Sequence, residues 1–188
     1  MKVLLTSCGL ETGQIEDEFL TMLAKDPRDV KALFIPTAAT DAGAVMVLGE
    51  CMNDLLKVGI TEENIRVFDL HDGMSPDELR QYDLIYFCGG RAQYLLDRIN
   101  ETGFDTILKQ YIAENGMVLG VSAGSIIFAN NLPRSLGLLD TRLFVHCDRG
   151  DQPQTLAFPL QDETRLSNTA AIVIRDIPDD CRLIDQEM

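Results

Sequence analysis

Five short, almost wholly apolar runs alternate with segments of helical periodicity, and this alternation limits the fold more than any other feature. The runs fall at 2–8, 32–35, 65–68, 84–88 and 117–121. Between the first two, Ile15, Phe19, Met22 and Leu23 recur at helical spacing. Thr40 caps a helix on which Val45, Leu48, Met52 and Leu55 share a face, and Gly59 ends it. Ser75-Pro76-Asp77-Glu78 combines a cap, a proline at the first helical position and an acidic residue at the capping-box position. Helices follow over 92–100 and 104–114, the second with Phe104, Ile107, Leu108, Tyr111 and Ile112 on one face. Strands with no polar alternation must be covered on both faces. The pattern therefore predicts an α/β fold, a mostly parallel sheet between two layers of helices.

Beyond residue 130 the pattern changes. Residues 132–139 read as irregular, 143–146 as a strand and 148–154 as a polar loop. Two short strands, 171–174 and 181–184, have no helix between them, which predicts an antiparallel hairpin. No repeat or low-complexity linker divides the chain, so residues 1–188 read as a single domain.

Composition excludes several classes of function. The 16 Lys and Arg residues against 30 Asp and Glu give a net charge of −14. Nucleic-acid binding rests on cations that neutralise phosphates, and anionic membrane surfaces make the same demand, so neither is an expected partner. Five cysteines (Cys8, Cys51, Cys88, Cys147 and Cys181) are widely spaced, odd in number and free of any C-x-x-C pair. That is reduced, intracellular usage, and with no signal peptide or membrane-length apolar run the expected compartment is the cytoplasm.

The fifth apolar run leads into Gly120-Val121-Ser122-Ala123-Gly124-Ser125, and Ile126 to Ala129 read as the start of a buried helix. A serine between two glycines at a strand-to-helix turn is the nucleophile-elbow pattern. Small neighbours allow a turn sharp enough to hold the serine in strained backbone with its hydroxyl exposed. The Ala123 amide then lies at a helix N-terminus, where negative charge is favoured. The plain alternative is a turn that only lets a helix pack closely on a sheet.

Ligands of open α/β sheets bind beyond the carboxyl ends of the strands. Run 84–88 and run 117–121, joined by a right-handed crossover, are expected neighbours, which sets Gly89-Gly90 beside Ser122. One of these glycine amides then serves as a second oxyanion donor with that of Ala123; a plain turn is the alternative. A serine nucleophile needs a base, and the chain has two histidines. His71 lies in a surface turn, whereas His146 ends a strand-like run and follows the serine, as in α/β hydrolases, so His146 is the favoured base. Adjacent strand residues cannot all face one ion, so His146-Cys147-Asp148 is not read as a metal site. With no G-x-G-x-x-G after a strand, no dinucleotide site is expected either.

Gly89-Gly90-Arg91-Ala92-Gln93-Tyr94-Leu95-Leu96 resembles the Gly-Gly-Asn-Thr-x-x-Leu-Leu stretch of the dipeptidase E and cyanophycinase family of serine peptidases. The elbow, the Leu136-Gly137-Leu138-Leu139 and Phe144 to Asp148 segments, and the tail from Leu166 to Asp176 are similar to that family as well. The resemblance implies a three-layer fold of the class I glutamine amidotransferase-like (flavodoxin-like) type, with serine in place of cysteine at the elbow. It implies a serine-type peptidase that acts on small peptides without metal or cofactor. Ser122 takes the place of the nucleophile, His146 of the base, and Gly90 and Ala123 of the oxyanion donors. Family preference for aspartyl peptides makes Arg91 and Arg149 candidate carboxylate partners.

The chain departs from the family at the third member of the triad. No Asp or Glu lies between Ser122 and Leu139, which leaves Asn130, Asn131 and Asp140 as candidates to orient the histidine. Two other readings follow. One is a non-catalytic amidotransferase-like binding module that kept the elbow and lost the acid. The other is a hydrolase of acyl compounds that are not peptides.

Overall fold

The computed structural model describes residues 1–185. Seven strands form the central sheet: β1 (Lys2–Thr6), β2 (Ala32–Ile35), β3 (Ile65–Val67), β4 (Leu84–Phe87), β5 (Met117–Val121), β8 (Ala170–Asp176) and β9 (Asp180–Asp185). Their order is β3-β2-β4-β5-β1-β8-β9. The first five in that order run parallel; β8 pairs antiparallel with β1, and β9 antiparallel with β8. The two remaining strands, β6 (Arg142–Cys147) and β7 (Glu163–Ser167), form a separate parallel pair.

The apolar runs explain the layering. Successive side chains of a strand face opposite ways. On β4, Ile85 and Phe87 join one buried cluster while Leu84 and Tyr86 join the other. The first cluster receives α5 (Ala92–Glu101) through Leu95, Leu96 and Ile99, and α6 (Phe104–Ala113) through Phe104, Leu108 and Tyr111. The second receives α1 (Gly13–Leu23) through Ile15, Phe19 and Met22, and α3 (Leu48–Lys57) through Cys51 and Leu55. The result is the expected three-layer α/β sandwich, with α4 (Pro76–Leu79) and α7 (Ala123–Ile126) as short helices on the first side.

Four details differ from the sequence reading. The buried helix expected to start at Ile126 is instead the four-residue α7, which ends there. The cap after β2 is Asp41, whose carboxylate accepts from the Ala44 amide at 2.9 Å, and not Thr40. The helix there breaks at Val47 into α2 (Ala42–Met46) and α3, which leaves Val45 exposed instead of on the buried face. Strand β7 was not expected: Glu163-Thr164-Arg165-Leu166-Ser167 buries only Thr164, Leu166 and Ser167, so its apolar signal is weak. The terminal hairpin forms as expected. Among the described residues, no helix is long and apolar enough to cross a membrane.

Close backbone packing joins β1, β4 and β5 to α7. A Cβ on Gly124 would collide with the Phe87 carbonyl oxygen, so only glycine lets α7 approach β4. Ser125 is fully buried and braces β1 to the elbow. Its hydroxyl accepts from the Thr6 amide at 3.0 Å, and its one proton is shared between the carbonyls of Gly120 at 2.7 Å and Thr6 at 2.8 Å. Replacing Ser125 with Ala takes the acceptor from the buried Thr6 amide and removes the link to the Gly120 and Thr6 carbonyls, at almost no change in volume. Ser125→Ala is expected to lower the free energy of unfolding by about 2 kcal/mol, read from denaturant midpoints.

Candidate active site

Ser122 joins β5 to α7 with φ 52° and ψ −109°, a conformation costing a non-glycine residue on the order of 1–3 kcal/mol. The surroundings hold it there. Its amide donates to the Thr6 carbonyl at 2.9 Å, and its carbonyl accepts from the amides of Ser125 at 2.9 Å and Ile126 at 3.0 Å. The side chain emerges at the carboxyl ends of β4 and β5. A Cβ on Gly89 would sit 3.3 Å from that of Ser122, so the glycine pair lies beside the serine as expected. Gly90 has φ +135°, and a Cβ there would run into the Ala38 carbonyl, which makes glycine a requirement of this turn. The amides of Gly90 and Ala123 donate to no acceptor among the described residues.

His146 comes from β6, at a bulge between Phe144 and Cys147, and it too has a positive φ, 56°. Its amide donates to the Ser7 hydroxyl at 3.2 Å, and that hydroxyl donates to the Leu166 carbonyl at 3.0 Å. The bulge turns the imidazole toward the elbow, where Nε2 lies 3.0 Å from Ser122 Oγ. His71 takes no part; its ring pairs with Asp69 at 3.1 Å on the surface.

The group behind the ring is one that sequence reasoning missed. Asn168, in the turn between β7 and β8, brings Oδ1 to 2.9 Å from His146 Nδ1. With that oxygen as acceptor, Nδ1 keeps the ring proton and Nε2 presents its lone pair to the serine hydroxyl. None of the three expected candidates reaches the ring. Asn130 donates to Asp140 at 2.6 Å, and Asn131 exchanges two hydrogen bonds with the Leu143 backbone, at 2.8 and 2.9 Å. All three candidates precede the histidine in sequence, whereas Asn168 follows it. Its signal was the polar Ser167-Asn168-Thr169 interruption ahead of the apolar run of β8.

The pair opens on a cleft of about 510 Å³ lined by the ends of β1, β4 and β5 and one face of α2 and α3. Neither arginine expected to read a substrate carboxylate lines it. Arg149 is bonded to Asp185 at 2.7 Å, and Arg91 is the exposed residue preceding α5. Cys88, at the end of β4, is buried beneath the sheet end, and Cys147, next to His146, turns back toward the Phe144 carbonyl. The thiol that does reach the site is Cys8, 3.6 Å from His146 Nδ1.

The three-layer α/β sandwich has the class I glutamine amidotransferase-like fold, with a serine at its elbow facing a histidine. The chain belongs to peptidase family S51, whose sequence profile matches residues 3–141. It is 30% identical over 99 residues to the uncharacterized peptidase Lmo0363 of Listeria monocytogenes, 53% of this chain and 48% of that protein. It is 28% identical, over the same shares, to the uncharacterized peptidase PM1590 of Pasteurella multocida. The matched stretch thus spans about half the length of these curated relatives. Among solved structures, a peptidase E protein of Listeria monocytogenes EGD-e superposes with a TM-score of 0.77 at 21% identity, covering 99% of this chain and 98% of that one. A peptidase from an acI-B1 actinobacterium superposes with a TM-score of 0.64 at 20% identity, covering 98% and 87%. Both share the fold.

Burial, with Glu11 and Asp54 adding to it, pushes the Cys8 thiol up to about 11. Thiolate is the reactive form, so at pH 8 only about one molecule in a thousand carries it. Cys8 is therefore expected to resist iodoacetamide at pH 7–8 despite lining the cleft, with labelling that rises about tenfold per pH unit toward pH 10, read by peptide mass spectrometry.

Proposed function

We propose that this chain is a serine-type peptidase of the dipeptidase E kind, working as one α/β domain on small peptides. The observation that carries the reading is the 3.0 Å contact between Ser122 Oγ and His146 Nε2, made by two residues both held at positive φ. Strained backbone kept at two meeting side chains is what a positioned nucleophile and base need.

The chemistry follows from the geometry. Ser122 Oγ attacks the peptide carbonyl while its proton passes to His146 Nε2. The carbonyl oxygen gains negative charge and is met by the amides of Gly90 and Ala123, the second at the start of α7. Collapse of the tetrahedral intermediate breaks the C–N bond, and the imidazolium gives its proton to the departing amine. Water, deprotonated by the same nitrogen, then releases the acyl group and restores Ser122. Asn168 holds the imidazole in the required tautomer throughout. A neutral amide stabilises the imidazolium formed during the reaction less than a carboxylate does. The cleft volume of about 510 Å³ suits a short peptide. Five unpaired cysteines fit a reducing compartment, the cytoplasm.

One observation favours the rival reading, a non-catalytic binding module: among the described residues, no carboxylate is bonded to the ring. The intact contact between serine and histidine and the free amides favour the enzyme. A screen of dipeptides with varied first residues decides between them. Cleavage by the wild type, abolished in Ser122→Ala, is the expected result. Asn168→Ala is expected to lower kcat/KM by about tenfold or more, and Asn168→Asp to match or exceed the wild type, because a carboxylate there supports the imidazolium. Cleavage of simple esters but of no peptide identifies a non-peptide acyl hydrolase. No cleavage of either class identifies the binding module.

A further inference from the structure

The cleft that holds Ser122 has walls of one charge. Its lining includes Glu11, Asp41, Glu50 and Asp54, and no lysine or arginine. Val47, Glu50, Cys51 and Asp54 fall at the spacing of one helix face, so α3 turns two of these acids toward the serine. None of the four takes part in an ion pair among the described residues, although acids elsewhere do. Glu18 meets Arg175 and Arg182, Glu114 meets Arg80, and Glu163 meets Arg142 and Arg165. Even Lys57, one turn from Asp54 on the same helix, extends to Glu16 instead. No lysine or arginine lines the cleft, although the charge of Lys57 is near enough to act on Asp54.

Asp54 is the least exposed of the four. It accepts from the Tyr86 hydroxyl at 2.7 Å and the Leu10 amide at 3.3 Å, and both bonds fall on Oδ2. Oδ1 accepts none. A purely structural clamp on Leu10 and Tyr86 needs an acceptor but not a charge. A half-buried carboxylate with no ion-pair partner among the described residues bears a desolvation cost that a bound cation would offset, and burial pushes the Asp54 carboxyl above its ordinary value, outweighing its hydrogen bonds and the nearby Lys57 charge that pull it down.

Resting on the hydrolase reading of Ser122, we propose that this cleft selects substrates carrying a positive charge, an ammonium or guanidinium group, with Asp54 as the principal recognition carboxylate. The cleft is a ligand site independently of its acids, because the nucleophile and base open on it. Its charge then decides which peptides enter. Acidic peptides meet like charge from Glu50 and Asp54, and basic ones find Asp54 Oδ1 open. The cation can be a Lys or Arg side chain or the peptide's own amino terminus, and the two are separable by acetylation.

The test is calorimetric and does not depend on turnover. Dipeptide amides bearing Arg or Glu, each with a free or an N-acetylated terminus, are titrated into Ser122→Ala and into Ser122→Ala/Asp54→Asn. Asparagine keeps an acceptor for Tyr86 and Leu10 while removing the charge, and matched thermal melts of the two proteins check that the fold is kept. The Arg peptides are expected to bind at least about tenfold more tightly than the Glu peptides, and the ratio is expected to fall toward one in the double variant. A preference that survives acetylation assigns the side-chain cation, and one lost on acetylation assigns the amino terminus. Equal or tighter binding of the Glu peptides overturns the proposal. So does a ratio unchanged by Asp54→Asn, or no binding of any of the peptides. If the wild type hydrolyses none of these peptides yet the charge preference appears, the peptidase reading fails and the charge selection stands.

Discussion

Two consecutive residues at the carboxyl end of β1 fix the relation between the serine and the histidine. The Thr6 carbonyl takes the Ser122 amide, and the Ser7 hydroxyl takes the His146 amide. The elbow follows β5 and the histidine belongs to the separate β6–β7 pair, so neither positions the other directly. The strand between them does. Because β1 is an interior strand, paired with β5 on one side and β8 on the other, its end is a firm anchor for both residues. Ser125 and Ser7 complete the link, one bracing the elbow to β1 and the other joining β1 to β7 through the Leu166 carbonyl.

This arrangement accounts for the strain at the site. Ser122 and His146 each adopt a backbone that costs free energy in isolation, and each is held by hydrogen bonds to a buried strand end. The glycines answer a different need. Gly124 lets α7 lie against β4, and Gly90 lets the following turn lie against Ala38. The chain's small residues therefore gather where backbone segments meet around the serine, and its large apolar residues fill the two layers that hold those segments in place.

Much of this was legible in the residues. Unbroken apolar runs can only be covered strands, so the parallel sheet and its helical layers followed from pattern alone. The elbow was legible because its steric demand is local: no large side chain fits between β5 and α7. His146 followed from having one rival, which lies in a turn. Asn168 was not legible, because its role depends on how β7 returns beside β6, and β7 itself has too little apolar signal to be read. The same limit explains the arginines. Arg149 is close to His146 in sequence, yet it bonds to Asp185 on β9, a partner that only the folded hairpin brings near. The sequence alone does not show what the acids on α3 face. Only the fold brings Glu50 and Asp54 into the cleft beside Ser122.

The central claim is that Ser122 is a nucleophile activated by His146, and covalent labelling tests it without any choice of substrate. Wild-type protein, Ser122→Ala and His146→Ala are exposed to a fluorophosphonate and the adduct is located by mass spectrometry. The account predicts one adduct, on Ser122, absent from the first variant and formed at least about a hundredfold more slowly in the second. An unlabelled wild type, or labelling of Ser122 at the same rate without His146, would contradict it.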